Sequence, residues 1–531
     1  MKESGTFMKQ HYLIGVDIGT SESKGVLVTT DGRIVRTAVR PHQLLTPKQG
    51  WAEHDAETSW WGDMCAITRE LFAESDVNPK DVLAFGCSTV GGCMLPVDKD
   101  CIPLRNAILY GIDVRSIGEA EFLNKRFGER ELLGDSTSIG RAGSKMNSSS
   151  IGPKILWFRK NEPELYRKMY KAAWGATFLV ARLTGEWTVD DYSARGCTPC
   201  YDWETNQWSN DFCEDIVEID RLPNICQTTD VAGKVTAEAS LATGLAEGTP
   251  VIVGTIDAPA EAVSVGVVSP GQAMLMYGST MFYIQLTERR VVDPRLWPGN
   301  FVIPNTKTIL ASMVTTGILT RWFRDQLAQE LVIRQRESGA EAYKTLAEGA
   351  AKIKPGCDGL IVLPYFSGER TPLNDPKARG IFFGMTLSHT RDHLYRAVLE
   401  GVGHGIRQHF DILKSIGSAP DEVIAVGGGT KNPTWLQIVS DISGVTQKIP
   451  SVTTGASYGD AFLAGLGIGI FSAPEDIRGW IREDRTIHPN PELKPLYDTY
   501  HRMYLELYQN NKNTMHCLSE VVAAGEAIGE M

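Results

Sequence analysis

No 18-residue stretch of this chain is both apolar and free of charge, and the first ten residues, MKESGTFMKQ, hold no apolar core of a secretory signal. A cytoplasmic protein with no membrane partner is expected. Cysteine is sparse, ten in 531 residues, and only Cys197 and Cys200 form a C-x-x-C, with no second pair at zinc spacing. Reduced thiols are expected, and these two read as ordinary loop cysteines. Positive charge is short as well: 53 Lys and Arg against 64 Asp and Glu give a net charge of -11, so a nucleic-acid surface has no electrostatic support. Any polyanionic ligand must be held by local groups. The phosphate motif G-x-x-x-x-G-K-[ST] does not occur, and Gly467-Ile468-Gly469 lacks the preceding strand of a dinucleotide fingerprint.

What is present is a folding composition, 42% hydrophobic and 22% charged, which excludes collagen-like, disordered and coiled-coil classes. The length is three to four modal domains, so two large domains with a cleft between them are expected. Glycine is in surplus, 52 residues, and much of it follows strands. Tyr12 to Asp17 reads as a strand ending in Gly19-Thr20-Ser21, and Lys24 to Thr29 as its hairpin partner. Val82 to Cys87 reads as a further strand. Lys154 to Lys168 and Tyr170 to Leu183 have helical spacing, the second stopping at Gly185. Val251 to Gly254 and Gln272 to Tyr277 are strands, the latter running into Gly278-Ser279-Thr280. That second strand-to-glycine-hydroxyl loop suggests a duplicated architecture. His393 to Leu413 is a long buried helix; Val423 to Val426 is a strand emptying into Gly427 to Gly429, with helices over Pro433 to Ser443 and Tyr458 to Gly469. Beyond Asn510 the chain reads as a loose tail.

The glycines gather at Gly15 and Gly19, Gly278, Gly317, Gly427 to Gly429, and Gly455 and Gly459. Lacking Cβ, such loops let backbone N–H groups converge on phosphate oxygens, which is how an acidic protein can hold a nucleotide. Two carboxylates stand out. Asp17, on the first glycine loop, is tolerable beside phosphates only if a cation offsets it, which suggests Mg²⁺. Asp257, after a buried strand and with nothing near in sequence to pair it, is either a helix N-cap or a general base that takes a hydroxyl proton in phosphoryl transfer. His389 and His393 read as surface residues of a helix end, and Trp51, Trp60 and Trp61 as ligand stackers or core.

The segments D-I-G-T-S (Asp17 to Ser21), Q-G-W-A-E-H-D (Gln49 to Asp55), G-x-x-D (Gly254 to Asp257), G-E-R-T-P (Gly368 to Pro372) and V-G-G-G-T-K-N-P (Val426 to Pro433) resemble the FGGY carbohydrate kinases. Gly380 to Glu400 looks like that family's C-terminal signature. Lys154, Trp157 and Asn161 look like its N-terminal one, with Ile151 where a small or hydroxyl residue is usual. The resemblance implies an α/β fold of two actin-like (ribonuclease H-like) domains: a tail over 1–10, a sugar-binding domain over 11–256, an ATP-binding domain over 257–509, and a tail over 510–531. It implies Asp257 as general base and Asp17 as the Mg²⁺-linked acid. Gly19, Thr20, Ser21, Gly278, Ser279, Thr280 and Gly317 correspond to the phosphate loops, and Gly428, Gly429 and Asn432 to the adenosine side. G-S-T at Gly278 to Thr280 replaces the usual G-T-S, which keeps the hydroxyls. A homodimer is also implied.

For the sugar, the resemblance places Gly91, Gly92, Tyr110, Asp257 and Ala258 at the substrate. Xylulose kinases carry Gln-Met-His-Gly where this chain has Val90-Gly91-Gly92-Cys93, and glycerol kinases an Arg-Glu pair. The glycines imply a wider pocket that relies on Ser88, Thr89, Tyr110, Asp113 or backbone amides, and they argue against glycerol. An ATP-dependent kinase of a pentulose or related ketose or polyol is expected, D-xylulose first, with ribulose, ribitol, erythritol and gluconate as alternatives. The rival is a non-catalytic actin-like ATP-binding protein, because fold and glycine loops do not separate a switch from an enzyme.

Overall fold

The computed structural model describes residues 10–132, 145–451 and 454–529. Apart from Gln10, the expected N-terminal tail lies outside them, as do residues 530–531 of the expected C-terminal tail. Two compact units form. The first gathers the chain up to Val268 with Asn300–Asn305 and Thr454–Ile481; the second comprises Ser269–Gly299, Thr306–Thr453 and everything from Arg482. The division therefore differs from a linear cut at 256/257, because Asp257–Val268 and Thr454–Ile481 return to the first unit.

The first unit is built on a seven-stranded sheet: β1 (Tyr12–Ile18), β2 (Glu22–Thr29), β3 (Ile34–Pro41), β4 (Val82–Thr89), β5 (Val231–Lys234), β6 (Pro250–Ile252) and β7 (Thr255–Ile256). The order is β5-β6-β4-β1-β2-β3, with β7 beside β4; β1, β2 and β3 are antiparallel, whereas β1, β4 and β6 run parallel. Helix α1 (Asp257–Ser264) follows β7, and helix α2 (Ala456–Gly467) comes back from late in the chain. What draws α2 in is glycine. A Cβ on Gly15, in the middle of β1, would lie 1.9 Å from Ser457 O; one on Gly86 in β4, 2.4 Å from Asp460 O; and one on Gly459, 2.0 Å from Ala260 O of α1. Gly15 and Gly459 are thus packing glycines rather than members of a phosphate loop, and they allow helix backbone to lie directly on strand and helix backbone.

The second unit repeats the plan. Its strands are β8 (Gln272–Tyr277), β9 (Met281–Thr287), β10 (Trp297–Asn300), β11 (Lys307–Met313), β12 (Glu422–Val426), β13 (Gln447–Pro450) and β14 (Glu483–Ile487), in the order β10-β11-β9-β8-β12-β13-β14. Again three strands, β8, β9 and β11, are antiparallel, and β8, β12 and β13 are parallel. The duplication suggested by two glycine loops is thus present as two sheets of like order and sense. Helices α3 (Gly317–Leu327), α4 (Arg391–Ser415) and α5 (Pro433–Ser443) cover this sheet, with Val398, Val402 and Ile406 of α4 in the core.

Three local expectations change. The helix expected over Lys154 to Lys168 breaks at Pro163 into Ile151–Asn161 and Pro163–Lys168, since a proline cannot sit mid-helix without losing a backbone bond. The one expected from Tyr170 begins only at Gly175, because Lys171–Ala173 is drawn into a strand against Leu95–Val97. The loose tail from residue 510 is instead the end of a helix, Lys494–Gly529, tied down by Tyr508 and His516, which lie 2.7 and 2.8 Å from Asp375 Oδ2, and by buried Met515. Among the described residues no helix is long and apolar enough to cross a membrane.

Candidate active site

In the first unit, Asp17 is the sixth residue of β1, paired across the hairpin with Lys24 and in register with Ser88 of β4. Burial and the charge of Asp257 raise its carboxyl from 3.8 to about 8, against a partial offset from the Ser88 hydroxyl, which lies 3.1 Å from Oδ1. The same hydroxyl lies 2.7 Å from Oδ2 of Asp460, brought in by α2. Asp460 is pushed well above the carboxylate range by burial and by Asp17. Sequence reading missed Asp460, although a lone acid in the otherwise apolar run ASYGDAFLAGLG is the kind of residue that flags a buried polar contact.

Asp257 is the first residue of α1. Its Oδ1 accepts from the Ala258 amide at 2.8 Å, and no salt bridge to it forms among the described residues. Burial raises its carboxyl to about 6. Ile256 is the N-cap, so Asp257 is not capping the helix with its side chain in the usual way. Glu261, one turn further on, is raised to about 7 by burial, with Lys24 lowering and Asp257 raising it. Buried Asp460 and the half-buried Asp17, Asp257 and Glu261 thus form a chain of acids in which the charge of Asp257 acts on the other three, and Lys24 is the cation that acts on Asp17 and Glu261.

That charge imbalance suits a hard divalent cation. Among the described residues no three Asp, Glu, His or Cys converge on one point, so a full protein cage is not formed. The arrangement fits Mg²⁺, which keeps most of its waters and takes one or two carboxylates together with phosphate oxygens.

The residues expected at the sugar are partly committed elsewhere. Ser88 serves Asp17 and Asp460. Asp113 is fully buried and accepts from the Ala52 amide and from Arg115, 2.7 Å away in each case. Tyr110 OH lies 3.0 Å from Thr20 Oγ1. A Cβ on Gly91 would sit 2.7 Å from Ile256 Cδ1, and one on Gly92, whose φ is +65°, 3.0 Å from Ser149 O and 3.3 Å from Tyr110 Cβ, so the space these glycines free is taken up by Ile256, Ser149 and Tyr110 rather than left as a wider pocket. Behind Cys93 lies Lys154, fully buried, with Nζ donating to Ser148 O and Ser150 O; burial lowers it to about 8. Trp51 is covered by the Arg115 guanidinium at 3.7 Å, Trp60 is core, and Arg182 stacks on Trp61. Cys197 and Cys200 are buried in the core beside Cys213 rather than in an open loop.

In the second unit the loop Gly278-Ser279-Thr280 joins β8 to β9. Gly317 N–H donates to Gly278 O at 3.0 Å, and Thr316 and Ile318 N–H donate to Ser279 O at 3.2 and 3.0 Å. A Cβ on Gly317 would lie 2.4 Å from Gly278 O, which is why glycine opens α3. The glycine run after β12 divides by role. Gly427 (φ +90°) and Gly429 press on Tyr277, whereas a Cβ on Gly428 would meet nothing within 4 Å. Asn432 caps α5 through Trp435 N–H at 3.1 Å.

Comparison with known proteins gives a consistent result. The family model "FGGY family of carbohydrate kinases, N-terminal domain" matches residues 12–264, and the C-terminal domain model of the same family matches 273–468. A xylulose kinase of Escherichia coli is 30% identical over 93% of this chain and 99% of its own length, and one of Bacillus subtilis 28% identical over 94% and 97%. The crystal structure of a xylulose kinase from Rhodospirillum rubrum superposes with a TM-score of 0.85 at 29% identity, covering 95% of this chain and all of that one.

Proposed function

The chain belongs to the FGGY family of carbohydrate kinases, and from that premise we propose that it transfers the γ-phosphoryl group of ATP to a terminal hydroxyl of a pentulose, D-xylulose first. Asp257 carries this reading. A carboxyl at a helix start, half-buried, paired with no cation among the described residues and raised to about 6, is mostly ionised at pH 7 yet basic enough to accept a proton from an alcohol as it attacks. The hydroxyl oxygen bonds to the γ-phosphorus, the bond to the bridging oxygen breaks, ADP leaves, and the proton rests on Asp257. Asp17 would hold the Mg²⁺, with Ser88 fixing its rotamer. Bound there, the cation would neutralise charge on the phosphate oxygens. The loops Gly19-Thr20-Ser21 and Gly278-Ser279-Thr280 offer backbone amides and hydroxyls to phosphate, and Gly428 leaves room for close approach of the nucleoside.

The sugar rests on the relatives, xylulose kinases matched nearly end to end. The switch-like alternative loses ground to Asp257, since a protein that only binds ATP needs no base of this kind at a helix start. Coupled ADP release across xylulose, ribulose, ribitol, erythritol, glycerol and gluconate tests the proposal. Turnover highest with xylulose is expected; sugar-independent ATP hydrolysis without phosphorylated sugar would overturn it.

A further inference from the structure

The first glycine loop is held from behind. His42 Nε2 lies 3.0 Å from Gly19 O, His54 Nε2 lies 3.0 Å from Thr20 O, and the His42 amide donates to Ser21 O at 2.9 Å. Three successive carbonyls thus face donors. Gly19 N–H is spent on Glu22 O, while among the described residues nothing accepts from the Thr20 or Ser21 amide. The other loop, Gly278 to Thr280, has its carbonyls tied by backbone amides of residues 316–318; here the equivalent work falls to two imidazoles.

The ring protons follow from the partners. Trp60 Nε1 is a donor only and lies 3.1 Å from His54 Nδ1, so Nδ1 must accept and Nε2 must carry the proton given to Thr20 O. His54 is therefore neutral, in agreement with a ring lowered to about 4 by burial and by His42. His42 faces Gly19 O with Nε2, while Nδ1 lies 2.9 Å from Asp63 Oδ2 and 3.3 Å from Ser23 Oγ, whose hydroxyl is itself 2.7 Å from Asp63 Oδ2. Gly19 O can only accept, so Nε2 of this ring carries the proton given to it. The two imidazoles meet edge to face at 4.8 Å.

We propose that His42 and His54 are positioning residues of the phosphate loop, which by pinning the carbonyls of Gly19 and Thr20 keep the Thr20 and Ser21 amides turned to the nucleotide. The inference rests on the kinase reading above, in which this loop meets ATP. Neither ring touches substrate. Their effect is on the orientation of dipoles that would otherwise relax, the same logic by which outer residues hold metal ligands.

Two measurements test it. In the wild-type protein, long-range ¹H–¹⁵N correlation on labelled histidine, assigned with His54→Gln, should show His54 as the neutral Nε2–H tautomer and His42 with a proton on Nε2; an Nδ1–H tautomer at His54 overturns the inference. In kinetics, His54→Ala should lower kcat/KM for ATP by about 10- to 100-fold with sugar binding in the absence of nucleotide little changed, and His54→Gln, which keeps an N–H donor, should recover part of the loss. Wild-type kcat/KM for ATP in His54→Ala overturns it. If that variant does not fold, the tautomer decides. Failure of the kinase reading looks different: the wild-type protein itself would release no ADP with any sugar.

Discussion

Asp17 and Asp460 share one hydroxyl: Ser88 Oγ lies 3.1 Å from Asp17 Oδ1 and 2.7 Å from Asp460 Oδ2. A serine has one proton to give, so at least one of the two carboxyls must donate in return and is neutral in the folded protein. Both are held above 3.8 chiefly by burial. A group raised in this way stabilises fully below its unfolded pKa, and that contribution is lost as pH rises through the folded value, about 8 for Asp17. Asp17→Asn should therefore stabilise the metal-free protein at pH 8, by roughly 2 to 4 kcal/mol, and hardly at pH 4, and Asp460→Asn should shift stability in the same direction. Denaturant unfolding in chelator at the two pH values measures this. Equal midpoints for wild type and variants at pH 8 would sink the idea.

Replacing Asp257 with Asn removes the proton acceptor and keeps the volume. Sugar-dependent ADP release should fall by at least ~100-fold, with ATP affinity by calorimetry nearly unchanged. Near-normal turnover would reassign the base.

The same carboxyl sets a pH limb. With Asp257 at about 6, kcat/KM for the sugar should be flat above neutrality and should fall by about tenfold per pH unit below that value, as the base takes up its proton. A profile level down to pH 5 would contradict the assignment.

Two classes of glycine should separate experimentally. Gly15→Ala and Gly459→Ala place a Cβ about 2 Å from backbone oxygen and should cost more than ~3 kcal/mol, or prevent folding. Gly428→Ala meets open space, so stability should shift by less than ~0.5 kcal/mol while ATP affinity drops. Thermal denaturation and nucleotide titration read out the two effects.

Much of the fold was legible because strands ending in glycine and hydroxyl residues punctuate the chain: β1, β8, β12 and α5 begin and end within a residue or so of their expected limits. Asp17 and Asp257 could be found because each is a lone carboxylate directly beside a buried strand. The helix after residue 510 was not legible, since its support is Asp375, more than a hundred residues away. His54 lay inside a quoted motif without being singled out, because its partners, Trp60 Nε1 and Thr20 O, have no adjacency in sequence.

By itself the sequence determined the family and the alternation of strands and helices, and it singled out the two acids proposed for catalysis, since these depend on local turn chemistry and on residues contiguous in the chain. Only the tertiary structure decided which glycines serve packing and which face open space, because a missing Cβ acquires its meaning from the atom it would strike. It also decided that Asp460 joins Asp17, by laying a late helix on β1 and β4, and that two imidazoles back the first glycine loop. Hydrogen bonds and desolvation act over a few ångströms of space, whatever the distance along the chain.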